Sequence, residues 1–140
     1  MDGSMFVDLH LSESVGATAV ELRNPARVAV ELRPGGEPIQ LGAAIGTNIV
    51  ITEPARRTVE YPIVVRGYSR TFEATVLARL SAEGSAIDEY FTTAADWTVT
   101  WGEFVFEVPT GPGGDLSLFV GEESAEDGEL EGVTLELSAG

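Results

Sequence analysis

The 140-residue chain carries 23 acidic and 8 basic side chains, for a net charge of −15, and contains no cysteine. That length suits one domain, or one domain with a short extra unit, and buries a core without staples; a disulfide framework and a thiolate zinc site are excluded. All 8 basic residues are arginines at or before Arg79, where nine acids nearly balance them, while residues 80–140 hold the other fourteen acids and no base. A surface of that sign repels phosphate, which argues against nucleic acid or anionic lipid as a partner.

The opening "MDGSM" resembles an expression scar placed before a native segment, so an export signal or lipid anchor would belong upstream. No run of 18 apolar residues follows, and direct membrane insertion is not expected. Turn residues then punctuate the chain at short intervals, with period-two segments of strand length between them. "FVDLHL", "ATAVELR" and "RVAVELR" read as strands, the last two joined across "NPA" into a hairpin, because proline fixes φ and cannot donate to a ladder. "PGGEPIQLGAAIG" is a connector, which divides the chain into an N-terminal hairpin segment, residues 1–45, and a second unit, residues 46–140.

Seven candidates make up the second unit: "NIVITEP", "YPIVVRGY", "TFEATVLARL", "AIDEYFTT", "GEFVFEV", "DLSLFV" and "GVTLELS". In the third, Phe72, Ala74, Val76, Ala78 and Leu80 share one face, while Thr71, Glu73, Thr75 and Arg79 share the other with Leu77 as an apolar intruder. Phe104, Phe106 and Val108, then Leu116, Leu118 and Val120, then Val133, Leu135 and Leu137 repeat that logic. "AIDEYFTTAADW" would also tolerate a helix by composition, but Gly84 and Ser85 break any helix continuing from Leu80. The fold class is therefore all-β, an immunoglobulin-like β-sandwich of about seven antiparallel strands with an extra N-terminal hairpin. Without a cystine, aromatic and aliphatic contacts must join the sheets, and a tryptophan is expected at the centre.

"VVRGYSRTFEATVLARL", "TTAADW", "WGEFVFEV", "GGDLSLFVGEESAEDG" and the final "VTLEL" resemble the immunoglobulin-like domain associated with bacterial spore germination, over roughly residues 48–140. The most specific parts are "FEA" at Phe72 to Ala74, "WGEF" at Trp101 to Phe104, and the "LF" strand followed by "EDG" at Asp127 and Gly128. "TEPA" at Thr52 to Ala55 resembles the family's opening "SP" turn, with Glu53 in place of the usual serine. The resemblance implies an extracytoplasmic, non-enzymatic module of envelope proteins, with no catalytic or ligand residues to carry over. The leading expectation is a module that makes protein contacts or sets spacing in the envelope, with a protein or cell-wall component as partner; the alternative is a carbohydrate or peptidoglycan module that uses the exposed aromatics. "NPARVAVELRPGG" resembles the last strands of AMIN-like domains, so residues 1–45 are either the truncated end of such a domain or an added hairpin that pairs with the sandwich.

Residue by residue, little chemistry is expected. His10 is the only histidine, and its alternation with Val7, Leu9 and Leu11 makes it a surface imidazole rather than a catalytic relay. No G-x-S-x-G elbow is present, "GPGGDL" leads into a strand rather than a helix, and no carboxylate pair stands out for acid/base work. Neither a catalytic residue nor a cofactor nor a metal is assigned. The acidic loop "GEESAEDGELEG", with Glu122, Glu123, Glu126, Asp127 and Glu129, lacks the spacing of a calcium loop and reads as a solvated turn. Glu73 has two open readings, a solvated charge or a weak surface ion pair with Arg66, Arg70 or Arg79 worth up to roughly 1 kcal/mol, or a role in binding. Trp97, Trp101, Tyr90 and Tyr68 divide between core and an aromatic platform for a sugar or a partner side chain, Trp97 being the most exposed candidate. The candidate binding surface is Trp97, Tyr68, Arg70 and Glu73.

Overall fold

Period-two patterning becomes β-structure almost throughout the computed structural model, which describes residues 7–36, 41–95 and 100–140. The strands are β1 (Val15–Leu22), β2 (Arg27–Pro34), β3 (Ala44–Ile45), β4 (Ile49–Glu53), β5 (Thr58–Val59), β6 (Ile63–Ser69), β7 (Thr75–Ala82), β8 (Ser85–Thr93), β9 (Gly102–Val108), β10 (Gly114–Glu123) and β11 (Leu130–Ala139). A four-stranded sheet, β3-β4-β6-β9, faces a five-stranded one, β5-β11-β10-β7-β8, and β1 and β2 form a sheet of their own. The neighbours β4-β6-β9 and β11-β10-β7 reproduce the A-B-E and G-F-C order of an immunoglobulin sandwich, with β8 added beside the C strand. Among the described residues the strand pairings are antiparallel except β5 with β11, where Thr58 and Val59 lie beside Ser138 and Ala139.

The predicted faces close on each other. Ile49 and Ile51 of β4, Ile63 and Val65 of β6, and Phe104 and Val108 of β9 meet Val76, Ala78 and Leu80 of β7, Leu116, Leu118 and Val120 of β10, and Leu135 and Leu137 of β11. Each large aliphatic buried this way contributes about 1.5–3 kcal/mol relative to exposure. Gly67 makes room for the core: a Cβ there would lie 2.1 Å from the Val50 carbonyl and 2.9 Å from the Phe104 ring. On the outer face Gly121 and Gly132 stand opposite each other, and a Cβ on Gly121 would lie 2.1 Å from the Glu131 carbonyl and 2.7 Å from the Phe119 ring. That close approach leaves the pair to glycine.

The hairpin caps the outer face of the four-stranded sheet. Val20 and Leu22 of β1 bury against Val50 of β4 and Trp101, with Ala29, Ala43 and Tyr68 partly buried around them. Trp101 therefore fills the seam between hairpin and sheet, not the centre of the sandwich, where the aliphatics already occupy the space between the layers. Two other expectations change. "FVDLHL" forms no strand over residues 7–11, whose backbone finds no partner strand, and Val7, Leu9 and Leu11 are exposed, as is His10; Phe6 lies outside the described residues. The strand expected over "TFEATVLARL" begins only at Thr75, because Phe72–Ala74 is a 3₁₀ turn in which Glu73 (φ 54°) and Ala74 (φ 57°) adopt left-handed backbone. The alternation holds for Val76, Ala78 and Leu80, but Phe72 turns outward and is 59% exposed.

Candidate functional site

Of the four residues singled out as a binding surface, three lie among the described residues. Trp97 lies outside the described residues. Tyr68, Arg70 and Glu73 follow one another along the end of β6 and the turn into β7, yet each meets a different environment.

Tyr68 faces the hairpin. Its phenol is pushed above the usual tyrosine value, first by burial and then by the negative charges of Glu31 and Glu103. Around it runs a chain of ion pairs: Arg33 Nη2 with Glu31 at 3.1 Å, Arg33 Nε with Glu53 at 3.2 Å, Arg66 Nε with Glu53 at 3.8 Å and Arg66 Nη1 with Glu103 at 2.8 Å. Arg33 also donates to Thr18 Oγ1 at 2.9 Å and to the Thr52 carbonyl at 2.7 Å, and the Thr52 hydroxyl donates to Glu31 at 2.5 Å. These bonds join β2 to β4, β6 and β9, so Tyr68 belongs to the docking of the hairpin.

Arg70 lines a cleft of about 350 Å³ at the hairpin tip, bounded also by Glu21, Arg23, Asn24, Thr47 and Trp101. Its Nε donates to Asn48 Oδ1 at 3.0 Å, its Nη1 donates to the Asn24 carbonyl, and its guanidinium stands 5.6 Å from the centre of the Trp101 ring. The Trp101 indole N–H donates in turn to the Arg23 carbonyl at 3.0 Å, and Arg27 donates to the Trp101 carbonyl at 3.3 Å. Arginine and tryptophan are thereby committed to holding the tip. A buried indole with its N–H bonded internally is no stacking platform.

Glu73 stands apart from both. Among the described residues it has no arginine partner: Arg66 pairs with Glu53 and Glu103, Arg79 with Glu89 at 2.7 Å, and Arg70 with the groups just named. The left-handed turn takes Glu73 out of the strand ladder in which a cross-strand pair would form. Beside it, Phe72, Leu77 and Phe91 bound a shallow groove of about 150 Å³ on the outer face of the five-stranded sheet, with Glu122 and Glu123 at its rim. Glu122 fixes this turn, accepting from the Phe72 backbone N–H at 2.9 Å and from Asn48 Nδ2 at 3.0 Å. Asn48 thus bridges Arg70 and Glu122, a link that no sequence spacing displayed. Phe91 was hidden as well; the one available signal was Leu77, the apolar residue on the wrong face, which pairs with Phe91 across the strands.

The acidic loop closes on itself. Gly128 N–H donates to the Ser124 carbonyl and Ser124 N–H to the Glu129 carbonyl, both at 2.8 Å. Hydrogen bonds from Ser124 and from the Glu129 N–H hold the Asp127 carboxyl below its usual range. Among the described residues no group of three or more histidine, aspartate or glutamate side chains is placed to hold a metal ion.

A family model described as the immunoglobulin-like domain of bacterial spore germination matches residues 48–129. The chain belongs to this family. No curated protein matches it. The family match begins just before β4 and takes in the Phe72–Ala74 turn, the groove and the acidic loop; the hairpin β1–β2 and strand β3 lie outside it, and β11 completes the sheet beyond its end.

Proposed function

We propose that the chain is a non-catalytic, extracytoplasmic module of a bacterial envelope protein that makes protein contacts or sets the spacing of its neighbours. Family membership supports the setting. The observation that carries the reading is how the sandwich is closed: aliphatic side chains fill the space between the two sheets, and ionisable groups stand on outer faces, rims and the hairpin seam. Catalysis by carboxylates needs two of them held in a cleft at a defined separation. Here Glu31, Glu53 and Glu103 are engaged in the hairpin network, Glu122 in the Phe72–Ala74 turn and Asp127 in the loop after β10.

The test uses the full-length protein in its native cell. An antibody against this domain should stain intact cells, and the purified protein should leave peptidoglycan and its fragments unhydrolysed. Staining confined to permeabilised cells, or release of soluble fragments above the blank, would overturn the reading.

A further inference from the structure

We propose that the groove on the outer face of the five-stranded sheet is a docking site for a basic protein segment, which seats one large apolar side chain between Phe72 and Phe91 and sets its cations against Glu73, Glu122 and Glu123. The proposal rests on the protein-contact reading above and names where the contact is made and with what chemistry.

The apolar half of the argument begins with Phe72. Continued extended backbone would turn its ring onto the inner face, as the alternation with Val76, Ala78 and Leu80 predicts. Instead two consecutive non-glycine residues take left-handed backbone, a conformation that L side chains resist, and the ring is held outside, 59% exposed. The turn is pinned from several sides: Ala74 N–H donates to the Thr71 carbonyl at 3.1 Å, Ala94 N–H to the Ala74 carbonyl at 2.8 Å, and Phe72 N–H to Glu122. Phe91, 68% exposed, faces it from the edge strand β8, and Leu77 forms the floor. At about 150 Å³ the groove is well below the ~300–1,000 Å³ of small-molecule sites. It is sized for a side chain rather than a cofactor.

Charge then selects the occupant. The groove is bounded by Glu73, Glu122 and Glu123, with no arginine among its lining residues. Arg79, two residues from Leu77 on the same strand face, is neutralised by Glu89 at 2.7 Å. Since residues 80–140 carry no basic side chain, an anionic segment or a second copy of this face would be repelled, whereas arginine or lysine flanking an apolar anchor meets both the carboxylates and the ring faces.

A fluorescently labelled nine-residue peptide alternating arginine with leucine tests this by polarisation, with glutamate–leucine and arginine–serine peptides as controls. Only the arginine–leucine peptide should bind saturably, and added salt should weaken it. Phe91→Ser should weaken binding at least tenfold and Glu123→Gln about threefold; both side chains are exposed, so thermal midpoints should stay within error. Glu73→Gln should weaken binding to a similar degree as Glu123→Gln. Absence of saturable binding, equal binding by the arginine–serine peptide, or undiminished binding by Phe91→Ser would each sink the groove. Intact-cell staining by the antibody would in that event leave the envelope-module reading standing.

Discussion

Two contacts hold this chain together, and they are built on opposite principles. Between the sheets there is a core of interlocked aliphatics with Phe104, whose strength lies in area removed from water. Between hairpin and sheet there is a small apolar patch of Val20, Leu22, Val50 and Trp101, flanked by the Glu31–Arg33–Glu53–Arg66–Glu103 chain and the Thr52 hydroxyl. The first contact is non-directional and tolerates changes of shape that keep volume. The second depends on donors and acceptors meeting at fixed distances, and removing one partner leaves its mate partly buried and unsatisfied. The hairpin is thus attached by specificity more than by area.

The largest expected effect follows from taking away the seam's largest apolar side chain. Trp101→Ala should cost about 3–5 kcal/mol of the seam's cohesion, and amide exchange in β1 and β2 should rise toward solvent rates while β10 stays protected. Equal loss of protection in β10 would show that hairpin and sandwich unfold as one. Leu118→Ala, in the middle of the core, should cost about 2–5 kcal/mol and weaken protection in β4, β6, β7 and β10 together, with a shift in denaturant midpoint that is the same at low and high salt. Arg33→Met should cost less, about 1.5–3 kcal/mol for hydrogen bonds to charged groups. Its deficit should be larger at low salt, since an ion-pair chain that is partly solvated is screened within about 10 Å at 0.1 M; a salt-independent deficit would mean that Arg33 acts through its hydrocarbon stem.

The contrast also explains what the sequence displayed. Sandwich strands follow the period-two rule because each has one face in the core, and the inward sets around Val76, Phe104, Leu116 and Leu135 were all readable from spacing. The seam was not. Val20 and Leu22 alternate with polar residues as in any strand, but nothing in spacing tells that they dock on Val50, or that Trp101 leaves the core to join them. Thr52 and Glu31 are 21 positions apart and are joined only by the fold. Glu73 shows a different limit: the alternation around it was regular, and a left-handed turn stabilised by Glu122, 50 residues from Phe72, overrode it.

The smallest effect separates the two regions in alkali. Tyr90 stands at the edge of the core, stacked on Phe106 at 6.3 Å, and its hydroxyl donates to Asp88 at 3.0 Å. Burial, followed by that hydrogen bond and the charge of Asp88, raises its pKa to about 12. An unfolded tyrosine ionises near 10, so above that pH the unfolded chain gives up the proton first. The stability that Tyr90 contributes is whole below pH ~10 and is lost as pH rises toward about 12. Arg66, whose pKa is raised by its hydrogen bond to Glu103, stays charged through that window, so the seam keeps its ion pairs. Tyr68, also raised, is the seam's only tyrosine and ionises into a site already holding Glu31 and Glu103. Tyr90→Phe should therefore flatten the alkaline decline seen by core probes, and Tyr68→Phe should flatten the decline seen by hairpin amides. If either substitution flattened both, the two contacts would be one cooperative unit despite their different chemistry.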